Sequence, residues 1–173
     1  AARCSRAAGS ATETVSYSYD AAAAGNYGKG RLAQMTDPSG STTYTYERRG
    51  LLKGEVQTVQ GAPYTTGFRY DANGNRTLFT YPSGRQVVYT FDFADRPLSA
   101  ASGSTTYVSS AGYLPFGLET RTAYGNGTTR TFSYDPRYRP AENRLDGSAG
   151  PLADYLDGED SVGNITSLHD ALD

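Results

Sequence analysis

The chain holds few residues suited to catalysis. His169 is its only histidine, set in Ser167-Leu168-His169-Asp170. A nucleophile, base and acid on one short segment cannot converge as a triad, so a solvated histidine is expected. The 18 Asp and Glu residues contain enough acids for a two-carboxylate glycosidase pair. Most of them fall in recurring turn positions, however, so no enzyme is expected and no catalytic residue is assigned. Two stretches place oxygen ligands near turns as calcium loops do: Asp71-x-Asn73-x-Asn75 and Asp157-Gly158-Glu159-Asp160. The first lacks the distal Glu and fixed Gly of an EF-hand and reads as turn capping. The second reads as an insertion in a repeat, and neither a metal nor a cofactor is expected. Asn75-Arg76-Thr77, Asn126-Gly127-Thr128 and Asn164-Ile165-Thr166 fit the N-glycosylation pattern. Two of these occupy the same slot after a turn, which explains them without a sugar.

The elements that carry these residues follow from composition. Leu, Ile, Val and Phe number only 26 among 173 residues, whereas Tyr numbers 15 and Trp is missing. Ser and Thr number 36, with 20 Gly and 8 Pro. Turn formers and β-formers dominate, which excludes a helical bundle, a coiled coil and a Leu/Ile/Val-rich α/β sheet. An all-β chain remains. The net charge of −2, with 14 Arg and 2 Lys scattered along the chain, gives no electrostatic reason to bind nucleic acid or an anionic membrane. Cys4 is the single cysteine, so no intrachain disulfide forms. No stretch approaches the 18 or so apolar residues of a membrane-spanning helix, and Ala1 to Ala11 lacks the apolar run of a secretion signal.

Internal repetition decides the architecture. An aromatic-x-aromatic-acid pattern recurs at Tyr17-Ser18-Tyr19-Asp20, Tyr44-Thr45-Tyr46-Glu47, Phe68-Arg69-Tyr70-Asp71, Tyr89-Thr90-Phe91-Asp92 and Phe132-Ser133-Tyr134-Asp135. The acids stand 27, 24, 21 and 43 residues apart, the last gap being close to two periods. A degenerate copy fits there around Tyr107, followed by Ala111-Gly112-Tyr113-Leu114, and Tyr155-Leu156-Asp157 reads as a final variant. Each unit continues through a Gly/Asn turn to Arg or Asn and an apolar residue. Opposite turns read Asp37-Pro38-Ser39-Gly40 and Tyr81-Pro82-Ser83-Gly84. Strand, turn, returning strand and second turn fill about 21 residues, so each unit is a β-hairpin. Aromatics two apart project from one strand face, the Asp closes its strand end as an Asx-turn, and the following Arg can return to that Asp or lie over a ring.

These residues resemble the YD repeat of Rhs (rearrangement hotspot) proteins, which is similar to repeats of bacterial toxin-complex shells and animal teneurins. The resemblance runs from about residue 12 to 170. It implies a solenoid-like, spiralling strip of antiparallel β-hairpins, here about seven, forming in the family a hollow shell around a C-terminal toxin. The aspartate-bearing segment that closes such shells and releases the toxin has no counterpart in this sequence. Residues 1–11 are expected to be irregular, and 12–173 one continuous array, degenerate around 99–127. The expected role is a non-catalytic structural scaffold, secreted or at the cell surface of a bacterium. It would be a fragment of a larger shell, or a short repeat protein whose strands from Thr12 to Tyr19 and from Gly163 to His169 pair head to tail into a filament. The alternative is a surface-binding module that recognises glycan or a partner protein through Tyr/Arg rows.

Overall fold

The computed structural model describes residues 4–6, 13–21 and 23–173. Among them every regular element is a strand, as a composition poor in helix formers and rich in Tyr, Thr and Ser dictates. The chain divides into two compact units, Ala1–Gln86 and Val87–Asp173.

The first unit contains β1 (Cys4–Arg6), β2 (Glu13–Tyr19), β3 (Leu32–Asp37), β4 (Gly40–Tyr46), β5 (Leu52–Val59), β6 (Ala62–Tyr70) and β7 (Arg76–Thr80). Each pairs antiparallel with the next in sequence. The expected irregular segment 1–11 therefore includes a short strand, since Cys4 pairs with Val15 and Arg6 with Glu13. The backbone ladder needs no apolar side-chain pattern, which is why the sequence pattern missed it. The other residues of 1–11 lie outside the described ones. The second unit begins within β8 (Gln86–Phe91). It continues with β9 (Pro97–Ser102), β10 (Thr105–Tyr113), β11 (Glu119–Tyr124), β12 (Thr129–Tyr134), β13 (Pro140–Gly147), β14 (Gly150–Glu159) and β15 (Ile165–Asp170), again paired in sequence order.

One irregularity repeats through both units. The ladder shifts register just before the last residue of the outgoing strand: at Ser18/Tyr19, Thr45/Tyr46, Arg69/Tyr70, Thr90/Phe91, Gly112/Tyr113, Ser133/Tyr134 and Gly158/Glu159. A bulge of this kind bends the strand and sharpens its twist. Seven bulges mark seven repeats.

The opposite turns are tighter. Gln60 and Gly61 join β5 to β6 with φ of 50° and 81°, the paired positive φ of a two-residue hairpin turn. Gly40 closes the Asp37-Pro38-Ser39 turn at φ 155°, and a Cβ there would run into the Thr58 carbonyl oxygen. Only Gly lets β4 approach β5 this closely.

The core is thin. Ala33 and Val87, 8% and 4% exposed, are the only buried apolar residues among those described, and no large side chain is fully buried. The Tyr and Phe of the repeats are mostly half-buried. Apolar burial is thus spread along the strands, and polar clasps at the turns carry more of the specificity.

Candidate functional site: a row of clasped turns

The turn that follows each repeat aromatic is built by one residue pair. At Asp92 the Oδ1 accepts the N–H of Ala94 (2.8 Å) and of Arg96 (3.0 Å), while Oδ2 accepts Arg96 Nε (2.7 Å). Asp135 repeats this with Arg137 N (2.8 Å), Arg139 N (3.0 Å) and Arg139 Nε (2.7 Å). At Asp71 the residue four later is Asn75, whose Nδ2 lies 3.0 Å from Oδ2 and whose N–H is 2.9 Å from Oδ1. The Asp71-x-Asn73-x-Asn75 stretch is therefore a clasp that turns its carboxylate onto its own backbone. Each carboxylate accepts three donors that favour its charged form. Hydrogen bonds from the side chains of Arg96 and Asn75, foremost, hold Asp92 and Asp71 below the ordinary carboxylate range. At Asp135 the backbone N–H of Arg139 leads.

The last repeat corrects the expected reading. Asp157 lies inside β14, opposite Leu168, and makes no turn. The clasp belongs to Asp160, which accepts Val162 N, Asn164 N (both 2.9 Å) and Asn164 Nδ2 (2.8 Å). Register places Asp157 where Phe132 stands in the preceding repeat, and Glu159 where Tyr134 stands, because Glu159 faces Ile165 across a bulge as Tyr134 faces Pro140. The segment 157–160 is thus an aromatic-x-aromatic-Asp slot with acids in place of the rings, not an insertion. Glu159 pairs instead with Arg139 (2.7 Å). The spacing Asp-x-x-x-Arg/Asn, shared by 71–75, 92–96, 135–139 and 160–164, was the signal that locates it.

Three copies vary the device. Asp20 takes φ 67° and accepts Gly30 N at 2.6 Å, with its own N–H bonded to Arg31 O across a longer loop. In that loop Asn26 Oδ1 accepts Tyr46 N at 2.9 Å. Glu47 binds Arg49 Nε at 2.8 Å. The degenerate copy closes at Leu114, with its N–H on Leu118 O at 2.7 Å and Leu replacing both clasp partners.

Two further contacts link one repeat to the next. Arginines reach forward to carbonyls of the following turn: Arg31 Nε to Gly50 O (3.1 Å), Arg49 Nη1 to Asp71 O (2.7 Å), Arg96 Nη1 to Leu114 O (2.8 Å) and Arg139 Nη1 to Asp160 O (2.9 Å). Tyrosines reach back. Tyr46, Tyr70, Tyr113 and Tyr134 donate their hydroxyls to the carbonyls of Leu32 (2.8 Å), Leu52 (2.9 Å), Pro97 (2.6 Å) and Glu119 (2.5 Å). Each acceptor opens the returning strand of the preceding repeat. Burial is the leading cause that raises all four phenols above the ordinary range.

The remaining repeat residues fill the strand faces. Tyr17, Tyr44, Tyr89 and Phe91 are half-buried, and Tyr19 is exposed. Phe68 meets Phe79 edge-on at 5.3 Å, with Arg76 over both rings. Phe132 lies 4.5 Å beneath the Arg130 guanidinium, and Tyr155 stands in β14 opposite Asn143. Ser167, His169 and Asp170 do not converge. His169 is exposed opposite Leu156, and Asp170 accepts the N–H of Leu172.

These features define an all-β hairpin-repeat fold in which arginine and tyrosine contacts join neighbouring repeats within each unit. Residues 27–63 match the model of the RHS repeat family, so the chain carries an RHS repeat there. No curated protein matches the sequence. The fold is shared with the TcdB2-TccC3 crystal structure, at a TM-score of 0.84 and 16% identity over 93% of this chain and 9% of that one. The Photorhabdus luminescens Tc holotoxin pore gives a TM-score of 0.82 and 17% identity over 94% and 9%. This chain spans about a tenth of the length of those it matches.

Proposed function

We propose that the chain is a length of non-catalytic structural scaffold, a portion of a larger bacterial, secreted or surface-exposed Rhs-type assembly. The observation that carries this is the linkage of successive repeats by the same Arg and Tyr contacts, with the acids of the repeats engaged in turns. Such a device makes a resistant wall rather than a reactive centre. Residues 12–173 act in this reading as one stretch of repeat array. The finer reading is that strand edges allow copies to associate head to tail. Among the described residues β15 has only β14 as a ladder partner, and its Ile165 and Leu168 are 67% and 65% exposed, an edge suited to a further strand. Light scattering over a concentration series tests it. Growth in mass that is suppressed by trimming residues 1–16 is expected, and a monodisperse monomer indifferent to trimming overturns the association.

A second reading, a surface-binding module for glycan, is favoured by the solvent-facing rings of Tyr64, Tyr107 and Tyr155. A panel of glycans against the purified chain tests it, with binding expected to weaken when such a ring is removed.

A further inference from the structure

Strands β11 to β14 carry on one face a groove that takes no part in the clasps. Across the ladder Arg130 faces Leu145, and Leu145 faces Ala153. Two residues along each strand, Phe132 faces Asn143, and Asn143 faces Tyr155. Residues two apart share a strand face. Arg130, Asn143, Leu145, Ala153 and Tyr155 therefore line one cleft, and Tyr124 joins them from the flanking strand β11. Its volume of about 380 Å³ lies within the range of small-ligand sites, ~300–1,000 Å³. The short side chain of Ala153 leaves the room between the longer ones.

The polar groups here have unused capacity, unlike those at the clasps. Arg49, Arg96, Arg139 and Arg144 each pair with a carboxylate. Arg130 pairs with none among the described residues. Its Nε donates to Asn143 Oδ1 at 2.8 Å and its Cζ lies 4.5 Å from the Phe132 ring centroid, so the guanidinium is fixed in direction while its Nη groups have no hydrogen-bond partner among the described residues. The phenols of Tyr124 and Tyr155 likewise make no hydrogen bond among the described residues, whereas the four clasp phenols all do.

An oriented cation beside two rings with free hydroxyls suits a molecule that is anionic at one point, apolar on one face and rich in hydroxyls. We propose that this groove binds a carboxylated sugar, a uronic- or sialic-acid residue, with its carboxylate on the Nη groups of Arg130 and its C–H face against Tyr155. Arg presents a planar fork that matches a carboxylate, and Tyr offers an apolar ring with a polar tip. The proposal rests on the glycan-binding reading and narrows it to one site and one chemistry.

Calorimetric titration with sialyllactose against lactose, and with trigalacturonate against maltotriose, tests it. The acidic member of each pair is expected to bind about tenfold tighter, in line with one charge-assisted contact. Arg130→Gln should abolish that preference, Arg130→Lys should keep part of it, and Tyr155→Ala should weaken both members. Amide shift mapping on the unaltered chain supplies a readout independent of variant folding, with changes expected at Tyr124, Arg130, Asn143 and Tyr155. Equal binding of acidic and neutral sugars, or shifts elsewhere, overturns the acidic site but leaves the glycan reading standing. No binding in either series overturns both. Equal, Arg130-dependent binding of a poly-glutamate peptide overturns the assignment to sugar.

Discussion

At the scale of the residue, the Asp and its partner four positions later do what the hydrophobic core does in a denser fold. One carboxylate satisfies two backbone N–H groups and a side-chain donor, so it fixes both the turn and the start of the returning strand. The degenerate copy offers a gain-of-function check. Leu114 and Leu118 occupy the two clasp positions, and Arg96 already reaches the Leu114 carbonyl. Restoring the pair with Leu114→Asp and Leu118→Arg is expected to stabilise the chain by ~0.5–2 kcal/mol, the usual gain from reinstating a consensus feature. Denaturant melts check it, and a loss of stability would show that the copy has repacked around its leucines. Arg139 illustrates how much one residue carries: it closes its own turn, reaches the Asp160 carbonyl and pairs with Glu159. Asp157, which the Tyr155-Leu156-Asp157 pattern marks as the acid of the last repeat, instead lies within β14 opposite Leu168.

At the scale of the element, a hairpin is held to its neighbour by a phenol reaching back 14 to 18 residues. Removing that hydroxyl tests the linkage with little change in shape. Tyr70→Phe or Tyr134→Phe should each cost ~0.5–1.5 kcal/mol, the net worth of one hydrogen bond, while the same change at exposed Tyr19 should cost almost nothing. The turn on the other edge has a steric check. Gly40→Ala places a Cβ against the Thr58 carbonyl and should cost about 1–3 kcal/mol or more as β4 is pushed from β5. A neutral Gly40→Ala would mean that the turn relaxes freely.

At the scale of the whole molecule, the clasps predict how stability follows pH. Asp71, Asp92, Asp135 and Asp160 are held below the ordinary carboxylate range by their donors. Their contribution is present in full above the unfolded-chain value of about 3.9 and is lost as pH falls through the lower folded values. Tyr46, Tyr70, Tyr113 and Tyr134 are raised by burial. Their contribution is present below about pH 10 and is lost as pH rises through the higher folded values. Thermal melts should therefore show a plateau between roughly pH 5 and 9 with a fall on each side. Asp92→Asn should flatten the acid limb; an unchanged limb would mean that the clasps do not govern acid stability.

The sequence by itself determined the all-β class, the hairpin unit, the count of seven and the turn chemistry, because strand period, Gly/Asn turns and Asx capping act within a few residues of one another. Tyr17 to Asp20 or Phe68 to Asp71 could be read directly for that reason. What only the tertiary structure decided lies between repeats. It aimed Arg96 at the Leu114 carbonyl and Tyr46 at that of Leu32, and left Arg130, among the described residues, without a carboxylate in a groove between Tyr124 and Tyr155. Each of these depends on ladder register across bulges, which brings together residues 13 or more positions apart, and no local pattern of residue types carries that register.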